Sequence, residues 1–271
     1  MKKFASILLA GLMVSALAGC GATATSGAAT AESTATAATA IQSIDDLTGK
    51  KIGVQLGTTG DIYASDDFGE ENVEKYNKGA DAVQALKTGK VEAVIIDNEP
   101  AKVFVAENDD LALLDTPYAE EQYAICLAKN SELTAQFNTA IAEIKEDGTL
   151  QAIMDKYING VEGAAGYVTP EGTAYPNGTL TMATNAYFPP YEYYEGDKVI
   201  GIDAEFAKAI CDKMGYELTI EDMEFDSIVP AVTSGKADFG AAGMTVTEER
   251  QQSVDFTDSY CTGVQSVIVK K

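Results

Sequence analysis

The chain has no histidine and no tryptophan, and it holds a single arginine and four cysteines in 271 residues. Without histidine, a serine–histidine triad and histidine-ligated metal sites are excluded. Basic charge is scarce: 19 Lys and Arg stand against 42 Asp and Glu. The resulting net charge of −23 argues against nucleic-acid backbones as partners. The cysteines follow no zinc spacing and form no disulfide framework. After Cys20 only Cys126, Cys211 and Cys261 remain. Buried thiols are expected, with a Cys211–Cys261 bridge as the alternative. No carboxylate pair has an evident catalytic spacing, and neither metal nor cofactor is expected.

What is present begins with an export signal. Lys2 and Lys3 precede an apolar run over 4–18, shorter than the roughly 20 residues that a spanning helix needs. The run closes as Leu17-Ala18-Gly19-Cys20, which resembles the bacterial lipobox. A lipoprotein signal peptide over 1–20 is therefore expected, with Cys20 acylated and holding the protein at the membrane surface, outside the cytoplasm. An ordinary signal peptide that ends in cysteine is the alternative. Residues 21–43 are dominated by Ala, Thr, Ser and Gly and read as a flexible tether, too poor in apolar surface to fold.

From residue 44 onward the pattern is globular, with βαβ alternation twice, which predicts two α/β lobes with mainly parallel sheets. In the first, over 44–128, a strand at 51–56 meets the turn Gly57-Thr58-Thr59-Gly60. A helix near 80–87 then runs through Thr88-Gly89-Lys90 into a strand at 91–96. In the second, over 179–271, a strand at 180–184 precedes a helix that Asp203 can cap and Gly215 can stop. A helix near 227–233 runs through Ser234-Gly235-Lys236 into a strand at 237–242. The segments 83–92 and 229–238 align without a gap, so the lobes are expected to be related. Between them lie two amphipathic helices over 129–158 and a Gly-, Thr- and Pro-rich linker over 159–178.

In open α/β sheets, ligands sit beyond the carboxyl ends of strands. Arg250, the lone arginine, falls at such a junction, and its planar fork matches a carboxylate bidentately. Thr247 reads as an N-cap, which places Arg250 at the third helical position, against the helix dipole. A surface pair with Glu248 or Glu249 is the alternative. Asp97 ends a strand and has two readings: acceptor for an ammonium group, or cap of the helix near Pro100. The turn at Thr58 and Thr59 offers hydroxyls and N–H groups at a helix start. Phe188 and Phe225, with Tyr187 and Tyr191, could wall a small pocket, whereas Tyr193 and Tyr194 are expected to pack a hairpin.

Together these residues resemble a known family. Asn185-Ala186-Tyr187-Phe188-Pro189-Pro190-Tyr191-Glu192-Tyr193, Gly201-Ile202-Asp203, Ala242-Gly243-Met244-Thr245-Val246-Thr247-Glu248-Glu249-Arg250 and Val254-Asp255-Phe256-Thr257 resemble the amino-acid solute-binding proteins of ABC importers, bacterial extracellular solute-binding protein family 3. Leu47-Thr48-Gly49-Lys50-Lys51-Ile52-Gly53-Val54-Gln55-Leu56-Gly57-Thr58-Thr59-Gly60 and Gln122-Tyr123-Ala124-Ile125 resemble the same family's second lobe. The resemblance implies a type II periplasmic-binding-protein fold that closes over a free L-amino acid and passes it to an ABC permease, without chemistry. It further implies that Arg250 and Thr245 hold the ligand's carboxylate, that Gly243 and Asp97 take its ammonium, and that Thr58 and Thr59 close from the opposite lobe. Phe188 and Phe225 would flank the side chain, with Asn185 and Gln55 near its tip. Asn185 stands where relatives that bind cationic side chains often carry aspartate.

The lobe order is rotated relative to the family, as in a circular permutation, with the family's old termini joined through the linker. That rotation predicts one interlobe crossing to be cut, with 264–269 pairing against 123–127. A monomer is expected, and a domain-swapped dimer is the alternative. Two other functions remain open: a dehydratase acting on cyclohexadienyl amino-acid-like substrates, with Asp97 or Glu192 as its acid, and a ligand-sensing lipoprotein.

Overall fold

The computed structural model describes residues 40–271, which form one compact unit. The signal peptide, Cys20 and most of the tether lie outside the described residues. In chain order the elements begin β1 (Ile52–Gln55), α1 (Thr59–Phe68), β2 (Val73–Tyr76), α2 (Gly79–Thr88), β3 (Ala93–Asp97), α3 (Asn98–Ala106), β4 (Leu111–Leu113), β5 (Ala119–Tyr123) and β6 (Cys126–Ala128). Then come α4 (Leu133–Glu146), α5 (Thr149–Tyr157), β7 (Thr179–Thr184), β8 (Tyr187–Phe188), β9 (Glu192–Glu195), β10 (Lys198–Ile200), α6 (Ile202–Met214) and β11 (Glu217–Asp222). The chain ends with α7 (Ile228–Thr233), β12 (Phe239–Gly240), α8 (Glu248–Ser253), β13 (Val254–Phe256) and β14 (Cys261–Lys270). None of the helices among the described residues is long and apolar enough to cross a membrane.

Two sheets carry the lobes, and they share one plan. In the first, β2, β1 and β3 run parallel and β14 lies antiparallel beside β3. In the second, β11, β7 and β12 run parallel and β6 lies antiparallel beside β12. The aligned segments 83–92 and 229–238 fall on equivalent pieces, α2 into β3 and α7 into β12. Both turns use a glycine at positive φ, Gly89 at 77° and Gly235 at 73°, where a β-carbon would strain the helix stop. A small antiparallel sheet, β10-β9-β8, carries Tyr193 and Tyr194 as the hairpin pattern predicts.

The lobe boundaries differ from the sequence expectation. β6 pairs with β12 and β13, so residues 126–128 belong with the later lobe. Helices α4 and α5 also pack there: Phe137, Ile141, Ile144 and Ile153 share a buried cluster with Phe206, Ile210 and Phe239. The final strand β14 goes the other way, its residues 265–269 pairing with β3 and 261–265 with β5. The expected pairing of 264–269 with 123–127 is thus corrected in register. The expectation of a cut crossing is also corrected, because the chain passes between lobes twice, after Tyr123 and after Tyr260. The Tyr260 N–H donates to the Tyr123 carbonyl at 2.9 Å, which ties the two crossings side by side. Local hydrophobic patterning cannot assign a strand to one of two adjacent sheets; long-range pairing does that.

Other local expectations fare differently. Helix α6 stops at Gly215, at φ 72°, but its N-cap is Gly201. Asp203 lies inside the first turn, and its carboxylate instead accepts from Gly243 N–H and Tyr260 O–H, each at 2.7 Å. Cys126 and Cys211 are buried and Cys261 is partly buried, and all three are free thiols.

Candidate ligand-binding site

A small cavity lies between the lobes at the carboxyl ends of the parallel strands. Its walls include nine of the ten predicted site residues: Gln55, Thr58, Thr59, Asn185, Phe188, Phe225, Gly243, Thr245 and Arg250. Tyr123, Glu192, Ala242 and Gln265 complete it. Asp97 is the predicted residue that does not line the cavity.

Arg250 is placed by its local sequence. The Thr247 hydroxyl accepts from the Arg250 N–H at 3.1 Å, starting α8 as its cap. The guanidinium then folds back: Nη1 donates to the Thr245 carbonyl at 2.7 Å, and Nη2 crosses to the Gly57 carbonyl at 2.9 Å. The Phe225 ring centroid lies 5.3 Å from the guanidinium carbon, a cation–π distance. No carboxylate pairs with Arg250 among the described residues. Burial lowers its pKa from the usual arginine value. The alternative of a surface pair with Glu248 or Glu249 is therefore set aside.

The opposite wall presents the start of α1. The Thr58 side chain caps that helix, accepting from Asp61 N–H at 3.3 Å, and its own hydroxyl donates to the Gln55 carbonyl at 2.8 Å. Thr59 Oγ1 lies 3.5 Å from Thr245 Oγ1 across the cleft. Gln55 Nε2 donates to Asn185 Oδ1 at 2.9 Å, a second buried link between lobes. Asn185 Nδ2 donates to the Met223 carbonyl at 2.8 Å, so this amide pair is held from both sides.

Acidic groups gather on another side. Asp97 is 2% exposed, and its oxygens are already engaged. Oδ1 accepts from Glu99 N–H at 2.9 Å as the cap of α3, and Oδ2 accepts from Tyr123 O–H at 2.7 Å and Val264 N–H at 3.3 Å. Burial, opposed by these hydrogen bonds, raises its pKa to about 7. Asp203, also buried, is raised to about 6. Glu192 is fully buried and lies beside the Asp203 carboxyl, to which it can donate a hydrogen bond when protonated. Burial and the neighbouring Asp203 push its pKa well above the ordinary carboxylate range. No lysine or arginine pairs with these three groups among the described residues.

Close packing fixes the backbone here. Gly243, at φ 51°, would place a β-carbon 3.1 Å from the Phe188 ring. At Gly263 a β-carbon would collide with the Tyr123 ring, so only glycine lets β14 pass that side chain. Tyr191 stacks behind Phe188 at 5.7 Å, whereas Tyr187 and Tyr194 are exposed and pair edge-on at 6.1 Å. The residues that sequence reasoning left out of the site had weak local signals. Gln265 lies in a strand and Tyr123 at a crossing, and neither position is defined without the fold. Glu192, singled out in the sequence only as an acid for the dehydratase alternative, sits directly across β8–β9 from Phe188.

Comparison with known proteins gives the same picture over part of the chain. Residues 180–271 match the family described as bacterial extracellular solute-binding proteins, family 3. The arginine-binding extracellular protein ArtP of Bacillus subtilis is 45% identical over 92 residues, 34% of this chain and 36% of that protein. The L-cystine-binding protein TcyJ of Escherichia coli is 34% identical over 119 residues, 43% of this chain and 45% of that protein. A solved ancestral arginine-binding protein bound to arginine is 46% identical, with 28% of this chain and 34% of that chain covered and a TM-score of 0.28. The chain thus spans less than half the length of these curated relatives. The matched residues 180–271 include Arg250, Thr245 and Gly243, so the similarity to that family falls on the segment that brings the guanidinium to the cavity.

Proposed function

We propose that this chain binds a free L-amino acid between its two lobes, outside the cytoplasm, and delivers it to an ABC permease. The observation that carries this reading is the charge arrangement at the cavity. Among the described residues, Arg250 has no carboxylate partner and the buried carboxyls of Asp97, Asp203 and Glu192 have no cationic partner. A zwitterion drawn between the lobes supplies both missing partners and has both of its own charges paired.

Its carboxylate meets Arg250, with Thr245, Thr58, Thr59 and the start of α1 alongside. Its ammonium lies toward Gly243 and the acidic groups. Phe188 and Phe225 flank the side chain, and Gln55 and Asn185 bring amides without charge. That neutrality favours polar uncharged or sulfur-containing side chains over cationic ones. The named relatives bind arginine and cystine, which makes those two compounds the natural first comparisons. The protein acts as a monomer, held to the membrane through Cys20, with its lobes in an order rotated relative to the family.

Thermal unfolding of the full chain against the twenty L-amino acids and L-cystine tests this, because a ligand that binds the folded state raises its apparent stability. The expected result is a shift with at least one of them, abolished in Arg250→Ala. A chain indifferent to all of them sinks the proposal. Glu192 favours one second reading, since a buried neutral acid at a cavity can serve as a general acid. Turnover of arogenate or prephenate by the full chain would replace binding with dehydratase chemistry.

A further inference from the structure

We propose that Glu192 and Asp203 share one proton, and that the pair is a positioning element that fixes the Gly243 backbone in the cavity wall. Its bearing on ligand rests on the amino-acid reading above; the shared proton does not. The two carboxyls come from different elements. Glu192 starts β9, directly across from Phe188, and lines the cavity. The Asp203 N–H donates at 2.9 Å to the carbonyl of Tyr191, the residue before Glu192, which brings the first turn of α6 beside it. Both residues are fully buried.

Two adjacent buried carboxyls cannot both ionise without a cation beside them. The titratable groups that face the pair are Asp97 of β3, Asp222 of β11, Tyr191, Tyr260 and Cys261. Two of these are acids, and burial keeps the phenols and the thiol neutral. Among the described residues no lysine or arginine pairs with either carboxyl. One proton is therefore kept, and the hydrogen bonds decide where it rests. Asp203 Oδ2 accepts the Gly243 N–H and Oδ1 accepts the Tyr260 O–H, each at 2.7 Å. A carboxylate serves both donors, whereas a protonated acid turns one of its oxygens into a donor. The proton thus sits on Glu192, which donates it to Asp203.

The pair joins two parts of the molecule. Through Gly243 N–H it fixes the Ala242–Gly243 peptide, and both of those residues line the cavity. The negative charge stays on Asp203, behind the wall toward which the ligand's ammonium lies, and Glu192 presents no charge of its own. Through Tyr260 the same carboxylate reaches the crossing between lobes, where the Tyr260 N–H meets the Tyr123 carbonyl. The crossing tyrosines are used alike: Tyr260 gives its hydroxyl to Asp203, and Tyr123 gives its own to Asp97.

The test uses the full chain, first without ligand. Infrared spectra at pH 8 separate a protonated carboxyl from carboxylates. The wild type is expected to show a protonated band that Glu192→Gln lacks. Asp203 and Asp97, at about 6 and about 7, are mostly ionised at that pH and do not supply it. No protonated band in the wild type, or a band that survives Glu192→Gln, overturns the proposal.

Positioning is read by comparing two variants. Glu192→Gln keeps an N–H donor for Asp203, and Glu192→Leu removes it. Hydrogen exchange at the Gly243 amide is expected to be about tenfold faster in Glu192→Leu than in Glu192→Gln. L-Arginine, L-cystine and the amino acid of largest thermal shift, where they bind the wild type, are expected to bind Glu192→Leu about tenfold more weakly than Glu192→Gln. Equal exchange and equal affinity in the two variants make the pair a buried contact without a positioning role. If no amino acid binds the wild type, the amino-acid reading fails, while the spectra and the exchange rates still decide the pair. Should Glu192→Leu not fold, the wild-type spectrum at pH 8 decides.

Discussion

The lobe made from residues 124–260 brings both formally chargeable side chains of the cavity wall, Arg250 and Glu192, whereas the other lobe brings Gln55, Thr58, Thr59, Tyr123 and Gln265. One wall is electrostatic and the other is made of hydroxyls, amides and a helix N-terminus. On the proposed reading, a charged ligand is gripped first by the lobe of 124–260, where the unpaired guanidinium is. The other lobe then adds directional hydrogen bonds and excludes water, which strengthens the charge pairs already made. The two sheets share a plan, so the difference lies in the loops that follow the strands, not in the scaffold.

That contrast is broken most severely by undermining the charged lobe's core. Phe137 is fully buried and meets the Phe239 ring edge-on at 5.0 Å. Phe137→Ala is expected to cost about 4 kcal/mol in urea unfolding and to take ligand binding with it. Arg250→Ala leaves the fold intact and is expected to cost about 3 kcal/mol of affinity in calorimetry, with Arg250→Lys recovering little because an ammonium lacks the planar fork. Thr59→Ala, on the hydroxyl wall, is expected to cost about 1 kcal/mol of affinity. If Thr59→Ala cost as much as Arg250→Ala, the division between gripping and closing would fail.

pH sharpens the contrast in a graded way. Asp97 has a folded-state pKa of about 7 against an ordinary value of 3.8, so folding favours its protonated form. Its contribution to stability is full below about pH 4 and is lost as the pH rises toward and through 7. The stability of Asp97→Asn relative to the wild type, measured by thermal unfolding without ligand, is therefore expected to increase across that window. A constant difference would show that Asp97 does not titrate there. The smallest expected effect belongs to Lys78, whose ammonium lies 3.4 Å from the Tyr187 ring centroid, across the cleft. Lys78→Ala is expected to weaken closure by about 0.5 kcal/mol, read as a more open average shape in small-angle scattering.

Much of the site was legible because local chemistry set it. The cap at Thr247 followed by Arg250, the turn at Thr58 and Thr59, and the glycine stops at Gly89 and Gly235 are decided within a few residues of chain. What could not be read depended on distant partners. Asp203 looks like a cap in sequence, but the N–H of Gly243, forty residues on, claims its carboxylate. Asp97 has the residue type for an ammonium acceptor, yet Tyr123 reaches it from another strand. Glu192 carries no local sign that the fold would bury it against the Asp203 carboxyl. The destinations of β6 and β14 were hidden for the same reason, since an apolar strand does not name the sheet that receives it.

The two neighbouring crossings at Tyr123 and Tyr260 make residues 124–260 an insertion within the other lobe. Both ends of the described chain consequently ride on one body: Ala40 and Ile41 line the same surface groove as Val269, Lys270 and Lys271. A tether, dye or surface attached at either end holds that body still. If the proposed closure occurs, the inserted lobe with its arginine is the part whose travel such a fixed frame would report.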